Sequence, residues 1–313
     1  MKIPKSADIE EAAKRISSKI HKTPVLTSQS LNEITGCNLF FKCENFQKVG
    51  AFKFRGATNA VMSLDDQSAR RGVATHSSGN HAQALALAAV MRGIPATIVM
   101  PENAPKVKIE AVQGYGADVI FCKATLEARE STLQEVLDTK GSVFIHPYNN
   151  FNVIAGQGTA ALELTYQTQD LDFVLAPVGG GGLLSGTAIT VKHILPKSKV
   201  IACEPVGADD AYKSFHAGEI IPSVNPNTVC DGLLTSLGEM NFEIIKSLVD
   251  DVLTADDEKI IYAMKLIWQR MKIVIEPSSA VPLAVILQNK EMFKGKNIGI
   301  IISGGNIDPD VKY

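Results

Sequence analysis

Gly50-Ala51-Phe52-Lys53-Phe54-Arg55-Gly56-Ala57 sets one lysine between two phenylalanines, with a glycine towards each end. Rings on both sides would keep water from the Lys53 amine. Desolvation lowers a lysine's pKa and frees its lone pair to attack a carbonyl, which is what a Schiff base requires. Gly50 lets the backbone turn ahead of the lysine, and Gly56 lets a bound group approach closely. A half-buried lysine with a packed stem and a solvated head is the plainer alternative.

Three further stretches carry chemistry of a matching kind. Gly179-Gly180-Gly181-Gly182 joins a buried strand pattern to a helix pattern. Successive glycines expose backbone N–H groups, and the helix N-terminus adds a positive dipole, so the turn predicts a phosphate cradle. It lacks both the Walker lysine and the spaced GxGxxG of a dinucleotide fold. A tight turn that binds nothing is the alternative. Ser77-Ser78-Gly79-Asn80-His81 follows a strand and opens a helix, at the sheet edge where parallel α/β proteins bind ligands. Its hydroxyls, amide and helix N–H groups can receive a carboxylate, or the serines can simply cap the helix. Ser303-Gly304-Gly305-Asn306 also ends a strand, and its hydroxyl suits a cofactor's ring nitrogen or only a turn. Lastly, Glu204 and Asp210 with a carbonyl between them offer hard oxygen ligands for Mg²⁺ or Ca²⁺. An acidic surface loop would look the same.

Regular elements must position these groups. A helix is predicted over 8–20, with Asp8 and Glu11 as a capping box. A strand follows at 39–42 and a helix at about 55–63. From Gly72 strands at 73–75, 96–100, 118–121 and 143–145 alternate with helices at 80–92, 107–114 and 126–139. That alternation predicts a compact α/β lobe with a parallel sheet, residues 68–148. A second alternation places helices at 158–168 and 183–195 and strands at 173–176 and 199–203. After a long irregular stretch come helices at 256–271 and 277–288 and a strand at 297–302. Residues 1–67 and 149–313 then form the larger domain. Tyr313 follows soon after the last strand, so a terminal helix is expected to be missing or very short.

Composition bounds the function. The 313 residues are 45% hydrophobic and 20% charged, an ordinary globular balance. A formal net charge of −2 carries no electrostatic footprint for nucleic acid or an anionic membrane. The N-terminus leads into a polar helix, and no apolar run is long enough to span a bilayer. Cys37, Cys43, Cys122, Cys203 and Cys230 are odd in number and lack CxxC spacing, as expected of reduced thiols in a cytoplasmic protein.

Together and in this order, the Gly-Ala-Phe-Lys-Phe-Arg-Gly, Ser-Ser-Gly-Asn-His, tetraglycine and Ser-Gly-Gly-Asn elements resemble the serine racemase and serine/threonine dehydratase family. Its members are fold-type II pyridoxal-phosphate enzymes, related in fold to the tryptophan synthase β-chain. The resemblance implies two mainly parallel, open twisted sheets flanked by helices, with the active site between a large and a small domain. It implies that Lys53 carries the cofactor as a Schiff base and that Phe52 flanks the ring. Asn80 would meet the ring's 3-hydroxyl and Ser303 its nitrogen, while Glu276 lines the pocket. Gly179, Gly180, Gly181, Gly182 and Leu183 would hold the phosphate. Ser77, Ser78, Asn80 and His81 would hold or approach the substrate carboxylate, and Ser78 would serve as the second base. Glu204, the Ala208 carbonyl and Asp210 match a divalent-cation site for Mg²⁺, Ca²⁺ or Mn²⁺. Tyr115 and Lys272 match ATP contacts at a homodimer interface.

Two departures stand out. Gly-Ala-Phe-Lys replaces the family's usual Gly-Ser-Phe-Lys, and Tyr148 follows His146-Pro147 where animal racemases have asparagine. The implied activity is racemisation of serine with β-elimination to pyruvate and ammonia. A dedicated threonine or 3-hydroxyaspartate dehydratase is the alternative within the family. A nicotinamide oxidoreductase would need the missing GxGxxG, and a non-catalytic amino-acid sensor would not need Lys53.

Overall fold

Ten strands form two sheets in the computed structural model, which describes residues 1–104, 106–168, 170–308 and 311, the side chain of Val107 apart. Strands β1 (Val25–Leu26), β2 (Asn38–Cys43), β3 (Val73–His76), β4 (Ala96–Pro101) and β5 (Asp118–Cys122) precede β6 (Val143–Phe144). Then come β7 (Phe173–Pro177), β8 (Lys199–Pro205), β9 (Asp251–Ala255) and β10 (Asn297–Ile302). One sheet has the order β1-β2-β10-β7-β8-β9, and the other the order β5-β4-β3-β6. Among the ten strands of the described residues, β1 alone pairs antiparallel. The fold is therefore α/β with two mainly parallel sheets flanked by helices.

The central strands read as continuous apolar runs because helices cover both faces. Every residue of β4 and β7 is buried, as are Ile298 to Ile302 of β10. Burying each of the isoleucines contributes roughly 2–3 kcal/mol. Parallel pairing also brings the strands' C-terminal ends to one edge. Ile302 lies opposite Cys43 and Pro177 opposite Cys203, so the loops after β10, β7 and β8 emerge together.

Three helices meet through glycines and set the relative positions of the lysine and the tetraglycine turn. The helix Phe151–Gln167 lies against both Lys53–Met62 and Gly182–Ile194. A Cβ on Gly156 would stand 2.7 Å from the Cα of Gly56, and one on Gly186 would stand 2.4 Å from the nitrogen of Gly158. Only backbone fits at either crossing. Gly56 thus admits a neighbouring helix, not the bound group anticipated for it. A second tie joins the helices Lys53–Met62 and Phe151–Gln167 to β2. Fully buried Arg55 bonds Glu44 at 2.6 and 2.8 Å and Glu163 at 2.8 and 2.9 Å, while Lys42 meets Glu163 at 2.6 Å.

Several expected elements shift. The first helix runs Ser6–Ile16, and Asp8 is its third residue, accepting from the Lys5 N–H at 2.8 Å. The helix expected from Gly158 starts at Phe151, because the Asn150 side chain accepts from the Asn152 and Val153 N–H groups. The stretch after β8 is far from irregular. It holds helices Asp210–Ala217 and Glu239–Leu248 and strand β9. Phe54, Ala57 and Val61 share a hydrophobic core with Ala82, Leu85 and Ala89, so packing crosses the boundary expected near residue 68. Tyr313 lies outside the described residues.

Candidate active site

Lys53 is the first residue of its helix and is fixed by the loop after β10. The Phe52 N–H donates to the Ser303 carbonyl at 2.9 Å, and the Gly305 N–H donates to the Gly50 carbonyl at 2.9 Å. Asn306 donates to the Val49 carbonyl at 2.7 Å, with Val49 held at φ +56°, a strained value for a β-branched residue. The Lys53 amine donates to the Pro147 carbonyl at 2.9 Å. It lies 5.3 Å from the Phe52 ring centre and 6.0 Å from that of Tyr148. Phe54, expected to shield it, instead turns fully into the core. Tyr148 takes that place. Burial lowers Lys53 to about 8, opposed by the nearby Glu276 carboxylate. A substantial fraction of the amine is then neutral near pH 8 and able to act as nucleophile or base.

The Ser77–Asn80 turn leads from β3 into the helix Asn80–Arg92, whose N-cap is Gly79 with no side-chain cap. The serines therefore do not cap it. Ser77 accepts from the Gly79 N–H at 3.4 Å, and among the described residues nothing engages the Ser78 hydroxyl. Free helix N–H groups and hydroxyls on one turn suit an anionic group. Asn80 is held from the other lobe. It donates to Glu276 at 3.3 and 3.1 Å and accepts from Asn306 at 2.9 Å. Burial raises Glu276 to about 7. His81 turns inward to the Ile145 carbonyl at 3.0 Å, and burial lowers it to about 3. His146 falls to about 4 by burial and accepts from the Tyr148 and Asn149 N–H groups at 3.3 and 2.9 Å. Both imidazoles are neutral at physiological pH. Near His76 the Arg129 Nε is buried without a partner among the described residues.

Ser303 lies beside Ser279, with hydroxyl oxygens 2.9 Å apart. Ser279 also bonds the Gly304 carbonyl and N–H at 2.7 and 2.8 Å. A hydroxyl pair of this kind can accept from or donate to a ring nitrogen without charging it. Residues 179–182 are buried, and Gly181 adopts φ +92° at the N-cap of the following helix. Among the described residues the Gly179, Gly180 and Gly181 N–H groups meet no acceptor. Buried backbone donors need a partner. Three of them at a helix N-terminus fit a phosphate, so the residues present suit pyridoxal phosphate.

At the β8 edge Glu204 and Asp210 are buried. Glu204 accepts from the Ala211 and Tyr212 N–H groups at 3.0 and 2.9 Å, while among the described residues Asp210 has only the Leu237 N–H and the Ser223 hydroxyl near it and no well-formed hydrogen bond. Burial raises Glu204 and Asp210 to about 9 and about 6. Each Glu204 oxygen already accepts one N–H, so mainly the desolvated Asp210 carboxylate suits a hard cation, and no cluster of three or more His, Cys, Asp or Glu occurs among the described residues. Tyr115 packs at the edge of the four-stranded lobe's core, while Lys272 is exposed at a helix end, φ +61°.

Sequence reasoning missed Tyr148 as a wall of the site, Ser279, and Asn241 of the helix Glu239–Leu248. The spacing of Phe242, Ile245 and Leu248 marks that helix, and Glu239 in its first turn supports it.

A family model described as pyridoxal-phosphate dependent enzyme matches residues 16–304. A serine racemase of Dictyostelium discoideum is 55% identical over 307 residues, covering 96% of this chain and 94% of its own. A β-hydroxyaspartate dehydratase of Paracoccus denitrificans (strain Pd 1222) is 53% identical over 310 residues, covering 99% and 98%. The solved structure of maize serine racemase superposes with a TM-score of 0.96 at 46% identity, covering 98% and 95%. With a half-buried lysine, a glycine cradle of unpaired N–H groups and relatives spanning nearly its whole length, this chain belongs to the pyridoxal-phosphate dependent enzymes of fold-type II.

Proposed function

We propose that the enzyme is a serine racemase that also eliminates the β-hydroxyl of serine to give pyruvate and ammonia. The observation that carries this reading is the Lys53 amine, lowered to about 8 by burial and walled by Phe52 and Tyr148. Pyridoxal phosphate, when bound, supplies an aldehyde for the amino group and a conjugated sink for the Cα electrons. The chain supplies the rest. Gly179 to Leu183 would hold the phosphate, Phe52 would flank the ring and Asn80 would meet the 3-hydroxyl. Ser303, backed by Ser279, would meet the ring nitrogen as a neutral hydroxyl. Ser77, Ser78 and Asn80 receive the substrate carboxylate, with His81 behind them. Lys53 moves the Cα proton on one face and Ser78 on the other. Residues 68–148 form the small domain and 1–67 with 149–313 the large one.

A second reading, a dedicated 3-hydroxyaspartate or threonine dehydratase, is favoured by the identity to the Paracoccus enzyme. Product analysis with L-serine, D-serine, L-threonine and 3-hydroxyaspartate separates the two. D-serine from L-serine supports the first, and ammonia without any racemised product supports the second. Borohydride tests the shared chemistry, because it must leave a covalent adduct on Lys53.

The reading extends to a divalent cation at Glu204, Ala208 and Asp210 and to a homodimer activated by ATP at Tyr115 and Lys272. A flat response of serine turnover to Mg-ATP removes the nucleotide site. Five free, buried cysteines support a reducing, cytoplasmic setting.

A further inference from the structure

Asn241 is fully buried on the helix Glu239–Leu248, and its amide nitrogen donates to the Gly180 carbonyl at 2.8 Å and the Tyr148 carbonyl at 3.2 Å. Both neighbours are acceptors, so the NH₂ group must face them and the amide cannot be turned over. The Gly238 N–H donates to the same Gly180 carbonyl at 3.2 Å. In a trans peptide the C=O of one residue and the N–H of the next point in opposite directions. Two donors drawing the Gly180 carbonyl towards this helix therefore turn the Gly181 N–H away from it. The Asn241 Cβ also fills the space beside Gly181, where an added Cβ would stand 2.8 Å away, and so supports its φ of +92°. The bond to Tyr148 carries the same amide to the segment whose Pro147 carbonyl holds Lys53.

We infer that Asn241 is a positioning residue for the cofactor phosphate: it fixes the Gly180–Gly181 peptide so that the Gly181 N–H faces the anion. This rests on the reading of the tetraglycine turn as a phosphate cradle. Sequence alone could not show it, because Asn241 lies about sixty residues from the turn and touches no ligand in the proposal.

The test compares pyridoxal phosphate with pyridoxal, which lacks the phosphate, as ligands of the cofactor-free full chain. Equilibrium titration of each is made for the parent, Asn241→Asp and Asn241→Ala. The aspartate variant keeps the side-chain shape and loses both donors. The alanine variant loses them without adding charge, and it serves should the first fail to fold. Pyridoxal phosphate is expected to bind about tenfold more weakly to either variant, the worth of one hydrogen bond, with pyridoxal affinity changed less than about twofold. An equal loss of affinity for both ligands would overturn the inference and leave Asn241 a structural residue. A variant that discriminates between the ligands as the parent does would overturn it while the cradle reading stands. A parent that binds the two equally would remove the cradle reading and the inference with it.

Discussion

Asn80 donates to both carboxylate oxygens of Glu276, at 3.3 and 3.1 Å, and so ties the four-stranded lobe to the six-stranded one beside the lysine. Burial raises Glu276 from 4.5 to about 7, and the Asn80 bonds only partly oppose this. Between those values the folded protein keeps a proton that the unfolded chain has released. This group's contribution to stability therefore falls as pH rises through that window, by up to about 3 kcal/mol. Glu276→Gln is predicted to raise the melting temperature of the cofactor-free protein at about pH 8 and to change it little at about pH 5. A gap between parent and variant that is the same at both pH values would exclude titration of Glu276.

Arg55, two residues beyond the lysine, neutralises Glu44 and Glu163 in the core. Removing one partner of a buried ion pair leaves an unpaired charge, at a cost of about 3–5 kcal/mol. Arg55→Leu should lose that much in denaturant unfolding, and Arg55→Leu with Glu44→Leu should recover part of it. A single-variant loss below about 1 kcal/mol would mean that water or another cation reaches Glu44.

The cation proposed at Glu204, Ala208 and Asp210 would stabilise only the folded chain. Chelation should lower the melting temperature by roughly 5–10 °C and reduce turnover, with Mg²⁺ or Ca²⁺ restoring both. Asp210→Ala should show neither response. If it responds as the parent does, the ion binds elsewhere.

The parts of the fold that sequence made legible are those with local signals. Alternating strands and helices from Gly72 to Phe144, the tetraglycine turn and the end of β10 all stand where punctuation and apolar runs place them. What sequence hid depends on tertiary partners. Phe52 and Phe54 are equally apolar, and only packing sends Phe54 into the core and leaves Tyr148 beside Lys53. Gly56 reads as ligand access until Gly156 appears against it. Asn241 sits in a stretch read as irregular, because Pro222 and Pro226 with several polar residues interrupt the chain before the helix begins.

The most direct measurement is the product split of Ser78→Ala. Racemisation needs a proton donor or acceptor on each face of Cα, the proposed groups being Lys53 on one face and Ser78 on the other. The variant should fold with bound cofactor and still eliminate L-serine at a reduced rate. Chiral analysis should find no D-serine from L-serine and no L-serine from D-serine, and pyruvate from D-serine should be lost as well. D-serine formed from L-serine at the parent's rate would contradict the account.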